Sequence, residues 1–173
     1  MKKKVYILDT SAILSGKPIN LSDAKLIIPP KVSEEITPGG KDYQILQILK
    51  EKGLIINSPS KKSLDTIEKI SIKTGDYTRL SPTDKELLAL ALDLHNQQHN
   101  EVIIITDDYS IQNVAQDIHI AYRGISQKGI TKRLKWGIRC QGCGKQFKEP
   151  TQTCPICGKK TKSIIIKGRN IDK

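Results

Sequence analysis

Cysteine is absent from the first 139 residues of this 173-residue chain, and aromatic residues make up only 4% of it. A hydrophobic core must therefore be built mainly from isoleucine, leucine and valine. No apolar run approaches the roughly 18 residues that a membrane span needs, and no signal peptide is visible behind the basic N-terminus. We expect a cytoplasmic protein without a membrane span, made of one medium domain or one domain with a small appendage.

Acidic residues are scarce in the C-terminal part of the chain. Residues 130–173 hold 12 of the 29 lysines and arginines but only 2 of the 18 aspartates and glutamates, so they carry +10 of the net charge of +11. A basic surface can simply aid solubility, but a concentration of this size is more typical of a polyanion partner. Without a membrane signal, nucleic acid is the partner that this distribution favours.

The pattern of apolar residues predicts strands that alternate with helices along residues 1–122. Short apolar runs indicate strands near 5–8, 25–28, 54–56, 102–105 and 119–122, and the segments between them have helical spacing. Such alternation is typical of a parallel sheet covered by helices on both faces. We interpret residues 123–137 as a linker, with some helix around 130–136.

Acidic residues lie where an α/β sheet gathers its ligands, beyond the carboxyl ends of the strands. They are Asp9, Glu34 or Glu35, Asp84, Asp107 and Asp108. Each one alone could be a helix cap or part of a solvated helix face. Carboxylates that crowd together repel one another unless a cation intervenes, so the set suggests a hard divalent ion such as Mg²⁺ or Mn²⁺. Such an ion can hydrolyse phosphodiesters by activating water, and no covalent nucleophile is evident. Spacing alone leaves the structural and catalytic alternatives open.

Two Cys-x-x-Cys pairs predict a metal site in the C-terminal segment: Cys140, Cys143, Cys154 and Cys157. Four thiolates fit tetrahedral Zn²⁺ and leave no open position, so we expect one structural zinc ion. The alternatives are a redox dithiol or a pair of disulfides. A segment this small has little core, and metal binding would supply its folding free energy. We assign residues 138–167 to a zinc ribbon and 168–173 to a flexible tail.

The ribbon is rich in basic residues, which we expect to bind RNA phosphates. They are Arg139, Lys145, Lys148, Lys159, Lys160, Lys162 and Lys167. Two aromatic residues, Trp136 and Phe147, could stack on bases or form part of a small core.

Residues 7–12, 32–35, 80–84 and 105–108 resemble the motifs of the PIN-domain nucleases in order and spacing. The resemblance implies a PIN-type nuclease domain over residues 1–122 that cleaves single-stranded RNA with one or two Mg²⁺ or Mn²⁺ ions. It implies these ligands: Asp9, Glu35, Asp84 and Asp108, with Asp107 as an additional ligand or a substitute for Asp108. Glu35 is preferred to Glu34 on motif position. Ser11 and Thr106 would orient carboxylates or water.

Residues 73–84 and 108–114, together with the first cysteine pair, resemble the archaeal form of the Nin-one-binding family. This resemblance covers nearly the whole chain. It implies an endonuclease that forms the mature 3′ end of precursor small-subunit (16S-type) ribosomal RNA in the immature small ribosomal subunit. A metal-activated water would leave 5′-phosphate and 3′-hydroxyl ends. The alternatives are a toxin-type PIN ribonuclease of broad or tRNA specificity, which usually lacks a zinc ribbon, and a non-catalytic RNA-binding assembly factor.

Overall fold

The computed structural model describes residues 3–15, 24–97, 100–125, 132–147, 149 and 151–170. The first part of the chain forms β1 (Lys3–Leu8), α1 (Thr10–Leu14), β2 (Ala24–Ile28), α2 (Pro30–Glu34), α3 (Lys41–Glu51), β3 (Ile55–Ile56), α4 (Lys61–Thr74), α5 (Pro82–His95), β4 (Asn100–Ile105), α6 (Tyr109–Asp117) and β5 (Ala121–Arg123). The C-terminal part forms β6 (Lys132–Cys140), β7 (Gln146–Phe147) and β8 (Thr161–Asn170).

The first part is built on a parallel five-stranded sheet in the order β3-β2-β1-β4-β5. Residues 5–8 of β1 are all buried. Successive side chains of a strand point to opposite faces of the sheet, so these four residues sample both faces. Both faces of the sheet are therefore covered, as the uninterrupted apolar run predicted. Leu8 pairs with Ile105, so the residues that follow β1 and β4 emerge side by side. The predicted fold class, a parallel α/β sheet with helices on both faces, is confirmed.

Helix α5 lies at the centre of the helical packing. It contacts α2, α4, α6 and β4, and its residues 87–91 are all buried. Ser81 caps the helix, Pro82 occupies its first position, and Asp84 completes the capping box. Because this helix is anchored by the core, Asp84 in its first turn is held in place by packing as well as by the cap. Within the described residues, no helix is long and apolar enough to cross a membrane.

The C-terminal part forms a separate antiparallel sheet in the order β7-β6-β8, and from here on we call this sheet with its cysteine loops the ribbon, including Trp136 in β6. Strand β6 begins at Lys132, so residues 132–137 of the segment predicted as a linker form a strand. The helix predicted around 130–136 is therefore wrong for residues 132–136. Residues 134, 136, 138 and 140 are apolar or cysteine at every second position, which is the period of a strand. Pairing with β8 satisfies the backbone of β6, and β8 extends to Asn170, past the predicted start of the tail at 168. Residues 126–131 and 171–173 lie outside the described residues.

The last strand of the parallel sheet also begins later than predicted. His119 was predicted to be its first residue, but β5 starts at Ala121. His119 has a φ of 56°, in the left-handed region that residues other than glycine rarely adopt. The chain turns at His119 because α6 has just ended at Asp117 and must reverse direction to pair with β4.

Candidate metal centres

Asp9 lies at the carboxyl end of β1 and is only 7% exposed. Its Oδ1 accepts a hydrogen bond from the backbone N–H of Thr10 (2.7 Å), and its Oδ2 accepts bonds from the hydroxyls of Ser11 and Thr106 (both 2.8 Å). Burial raises the pKa of Asp9, the hydrogen bonds from these donors oppose that rise, and the charge of Asp108 adds to it. The two hydroxyl residues predicted to orient carboxylates therefore both contact Asp9.

Asp84 completes the capping box of α5 and Asp108 is the N-cap of α6, and both lie close enough to Asp9 to interact with it electrostatically. The backbone N–H of Ser81 donates to Asp84 Oδ2 (2.7 Å), and the backbone N–H of Ser110 donates to Asp108 Oδ1 (2.6 Å). Burial raises the pKa of Asp84, and the charges of Asp108 and Asp9 raise it further. The sequence allowed these residues to be helix caps instead of metal ligands. They do take part in capping, and they also belong to the acidic set.

Glu35 joins this set through Thr10, a residue that the sequence analysis did not single out. The Thr10 hydroxyl donates to Glu35 Oε2 (2.6 Å), while its backbone N–H donates to Asp9. Both Glu34 and Glu35 are exposed, and of these two glutamates it is Glu35 that accepts the hydrogen bond from Thr10 in the described structure. The position of Thr10 directly after Asp9 could have drawn attention to its hydroxyl. That this hydroxyl binds Glu35 could not be predicted from a local pattern, because the two residues are far apart in the chain.

Asp107 lies beside the acidic set but is tied to a different segment. One of its oxygens accepts a hydrogen bond from the backbone N–H of Ile125 (2.8 Å), beyond the end of β5. Asp108 is the neighbour whose charge raises the pKa of Asp9 and Asp84. The structure therefore brings Asp9, Asp84 and Asp108 together.

The chemistry of this acidic set fits a divalent cation. The donors to Asp9 are all neutral, and the main causes that shift the pKa values of Asp9 and Asp84 are burial, neutral hydrogen-bond donors and neighbouring carboxylates. Across the residues that the structure describes, the group of three or more ligand atoms that all lie within 4.8 Å of one another is made of cysteines, so no three of the described carboxylates lie that close together. Wider spacing suits an ion such as Mg²⁺, which keeps several waters and needs only one or two direct carboxylates.

The second candidate centre consists of Cys140, Cys143, Cys154 and Cys157, whose sulfur atoms all lie within 4.8 Å of one another. The Sγ atoms of Cys140 and Cys157 are 3.4 Å apart and those of Cys143 and Cys154 are 3.6 Å apart, and all four cysteines are free thiols. Four sulfurs converging from two loops are the donor set of a tetrahedral metal site. The predicted cysteine cluster at a small C-terminal ribbon is confirmed.

The pKa values of two of these cysteines are shifted in opposite directions. Burial disfavours ionisation of Cys140, but the backbone N–H groups of Cys143 and Gly142 (3.4 and 3.2 Å) outweigh it and lower its pKa to about 6. Gly144 and Gly158 follow the two cysteine pairs with φ angles of 75° and 70°, in the left-handed region that favours glycine in a tight turn. A backbone hydrogen bond from Lys145 lowers the pKa of Cys143, but burial and the neighbouring sulfurs outweigh it and raise that pKa to about 11, so Cys140 ionises more readily than Cys143.

The ribbon presents its basic side chains to solvent. Those exposed are Arg139, Lys145, Lys159, Lys160 and Lys162. Lys148 and the side chain of Lys167 lie outside what the structure describes. Phe147 is half-buried and pairs with Ile138, while one face of the Trp136 ring is covered by Arg79, whose guanidinium carbon is 3.9 Å from the ring centroid.

Known proteins match both parts of the chain. The family model for the PIN domain of ribonuclease matches residues 6–94. Ribonuclease VapC1 of Thermoplasma acidophilum is 40% identical over 96% of this chain and 81% of its own length. Endoribonuclease Nob1 of Archaeoglobus fulgidus is 34% identical over 96% and 93%, and that of Pyrococcus abyssi is 32% identical over 97% and 98%. Each match extends into the ribbon. The presence of a ribbon therefore does not distinguish relatives named Nob1 from the relative named VapC1.

Proposed function

The chain belongs to the PIN-domain ribonuclease family and to its archaeal Nob1 group, and from this premise we propose that it forms the mature 3′ end of small-subunit ribosomal RNA. It is an endoribonuclease. Its substrate would be precursor 16S-type RNA within the immature small ribosomal subunit in the cytoplasm. The observation that carries this proposal is the similarity to Nob1 endoribonucleases across both the PIN part and the ribbon.

The acidic set would perform the chemistry. Asp9, Asp84 and Asp108, with Glu35 beside them, would hold one or two Mg²⁺ or Mn²⁺ ions. When bound, such an ion supplies an activated water and neutralises the charge that builds on the phosphate. The protein itself would keep these carboxylates ionised and oriented toward the metal ion. Hydrolysis would leave 5′-phosphate and 3′-hydroxyl ends.

Hydroxyl groups would orient two of these carboxylates. Ser11 and Thr106 hold one oxygen of Asp9, and Thr10 holds Glu35. Neutral donors fix a carboxylate without cancelling its charge, so the full negative charge stays available to a metal ion. An arginine or lysine in the same places would neutralise the site.

The ribbon would hold the RNA. A carboxylate pocket repels phosphates, so a cationic surface nearby is needed before RNA approaches. One structural Zn²⁺ at Cys140, Cys143, Cys154 and Cys157 would keep the ribbon folded and its exposed lysines in place. Binding would then be electrostatic and strongly dependent on salt.

A ribonuclease of broad or tRNA specificity is the second candidate, because the 40% identity to ribonuclease VapC1 extends over both parts of the chain. A cleavage assay with Mn²⁺ separates the candidates. The substrates are an RNA that spans the mature 3′ end of 16S-type RNA, the same RNA with a scrambled junction, and a tRNA. Cleavage at the junction alone supports the proposal, similar cleavage of all three supports the second candidate, and no cleavage indicates a non-catalytic RNA-binding factor.

A further inference from the structure

The segment 75–81, which we call the docking loop, connects α4 to α5 and contacts the ribbon at several points. Gly75 has a φ of 84° and lies so close to the backbone of Trp136 that an added Cβ would overlap the Trp136 carbonyl. The hydroxyls of Thr78 and Ser163 are 3.0 Å apart. The guanidinium carbon of Arg79 lies 3.9 Å from the centre of the Trp136 ring. The ribbon is therefore seated on the docking loop.

The docking loop is also tied to α6, the helix that Asp108 caps. Asn113 Nδ2 donates to Asp76 Oδ2 (2.6 Å), with both side chains buried. One turn nearer the start of the helix, Arg79 Nε donates to Ser110 Oγ (3.0 Å). The backbone N–H of Ser110 in turn donates to Asp108 Oδ1 (2.6 Å). A continuous set of contacts thus runs from the ribbon to a carboxylate of the acidic set.

We propose that Arg79 is a positioning residue that transmits the seated position of the ribbon, through Ser110, to Asp108. The guanidinium suits this role because its plane can stack on the indole while its Nε–H donates in that plane. Ser110 is only 3% exposed, so its hydroxyl has little access to water as an alternative partner when Arg79 moves away. The inference rests on the proposed role of Asp108 as a metal ligand.

A coupling between ribbon and acidic set follows from this link. A ribbon that is seated holds the first turn of α6, and with it the carboxylate of Asp108, in one orientation. A ribbon that is lifted leaves that turn free to shift. Because coupling is reciprocal, an ion that binds the acidic set should favour the seated ribbon.

The test uses the full-length, zinc-loaded chain with substitutions along the link. Arg79→Lys keeps the charge but loses the planar stack, Trp136→Ala removes the ring, and Trp136→Phe keeps an aromatic face. Thr78→Val is the matched control, since it removes an interface hydrogen bond one residue away whose partner is Ser163 and not Ser110. The measurements are Mn²⁺ affinity by calorimetry, kcat and KM on the junction RNA, and hydrogen exchange of the Ser110 amide.

Arg79→Lys and Trp136→Ala should each weaken Mn²⁺ binding and lower kcat about tenfold, which is about 1.4 kcal/mol of transition-state free energy, with KM for RNA little changed. Trp136→Phe should recover most of the loss, and Thr78→Val should match the parent. The double variant Arg79→Lys/Trp136→Ala should be no worse than either single variant, because both remove the same link. If Trp136→Ala lost its zinc, Arg79→Lys would still test the link without altering the ribbon.

Ser110 amide exchange separates this inference from the proposed function, because it needs neither metal nor RNA. If the parent does not cleave RNA but exchange is faster in Arg79→Lys, the proposed function fails and the link stands. If exchange and Mn²⁺ affinity are unchanged in Arg79→Lys, the inference is overturned even when the parent cleaves RNA. A lower melting temperature with unchanged Mn²⁺ affinity would equally overturn it, since that describes a purely structural contact.

Discussion

The hydroxyl of Thr106 donates a 2.8 Å hydrogen bond to Asp9 Oδ2 and accepts a 3.0 Å hydrogen bond from the backbone N–H of Asp108. Thr106 and Asp9 are 97 residues apart in the chain, but β1 and β4 are neighbours and end in register. A single hydroxyl therefore sets the relative position of two proposed metal ligands.

Thr106→Val should weaken Mn²⁺ binding and lower kcat about tenfold, the lower end of the usual effect of losing a group that orients a metal ligand. The hydrogen bond from Thr106 lowers the pKa of Asp9, so its loss moves the acidic limb of the kcat/KM profile to higher pH. Calorimetry and a pH–rate series measure the two effects. Thr66→Val is the matched control, because Thr66 is a half-buried threonine of α4 whose hydroxyl donates to the Lys62 carbonyl within the same helix. Unchanged Mn²⁺ affinity would contradict the orienting role.

Asp9→Asn should abolish cleavage and leave RNA binding intact. The amide keeps the shape of the side chain but removes the charge at the centre of the acidic set, while the ribbon is untouched. Cleavage assays with Mn²⁺ and binding measured by fluorescence anisotropy provide the comparison. Equal cleavage by variant and parent would remove the basis for a catalytic site at this position.

Lys159→Glu/Lys160→Glu should weaken RNA binding and flatten its dependence on salt. Each single-strand phosphate that the protein no longer neutralises reduces the slope of log K against log salt by about 0.7, so the double variant should have a slope smaller by about 1.4. Lys61→Glu/Lys62→Glu on α4 is the matched control, because it makes the same charge change on an exposed pair outside the ribbon. A slope equal to that of the parent would exclude these lysines as binding groups for phosphate.

Cys140→Ser should release zinc and unfold the ribbon while the parallel sheet stays folded, because the ribbon has too little core to fold without a metal. Trp136 is the one tryptophan of the chain and lies half-buried in β6 under the Arg79 guanidinium, so its fluorescence reports on the ribbon and on its contact with the docking loop. We expect a red shift for Cys140→Ser and for the parent treated with a chelator. Disulfides in the purified parent, detected by mass spectrometry, would argue against the zinc site.

Asp76→Asn should alter the pH dependence of stability. Asp76 is fully buried, its Oδ1 has no hydrogen-bond partner in the described structure, and burial raises its pKa from 3.8 to about 6. The folded state therefore binds the proton more tightly than the unfolded state, and the free energy of unfolding falls as pH rises through that window. The stability of the parent relative to Asp76→Asn should fall by about 2 kcal/mol between about pH 4.5 and pH 7.5. Urea unfolding at several pH values measures it, and a constant difference would contradict the raised pKa.

Much of the fold could be predicted because its signals are local. Uninterrupted apolar runs such as 5–8 and 102–105 indicate strands buried on both faces, and the capping box at Ser81 indicates where α5 begins. The convergence of Asp9 and Asp108 follows from the same information, since parallel strands end at one edge of a sheet. The short repeat of Cys-x-x-Cys was sufficient for the metal cluster.

The remaining features depend on partners that are distant in the chain. The first part of β6 was mistaken for linker and helix because it becomes a strand by pairing with β8, a partner about 30 residues away in the chain. The different partners of Asp107 and Asp108 depend on Ile125 and on the start of α6.

The amino-acid sequence by itself determined most elements of the parallel sheet, the edge where the carboxylates gather, and the four sulfur ligands, because each follows from periodicity or spacing over a few residues. Only the tertiary structure decided that Thr106 joins Asp9 to Asp108, that Thr10 holds Glu35, and that Arg79 connects Trp136 to Ser110. Such contacts join side chains that many residues separate, and their geometry exists only once the packed core has brought those segments together.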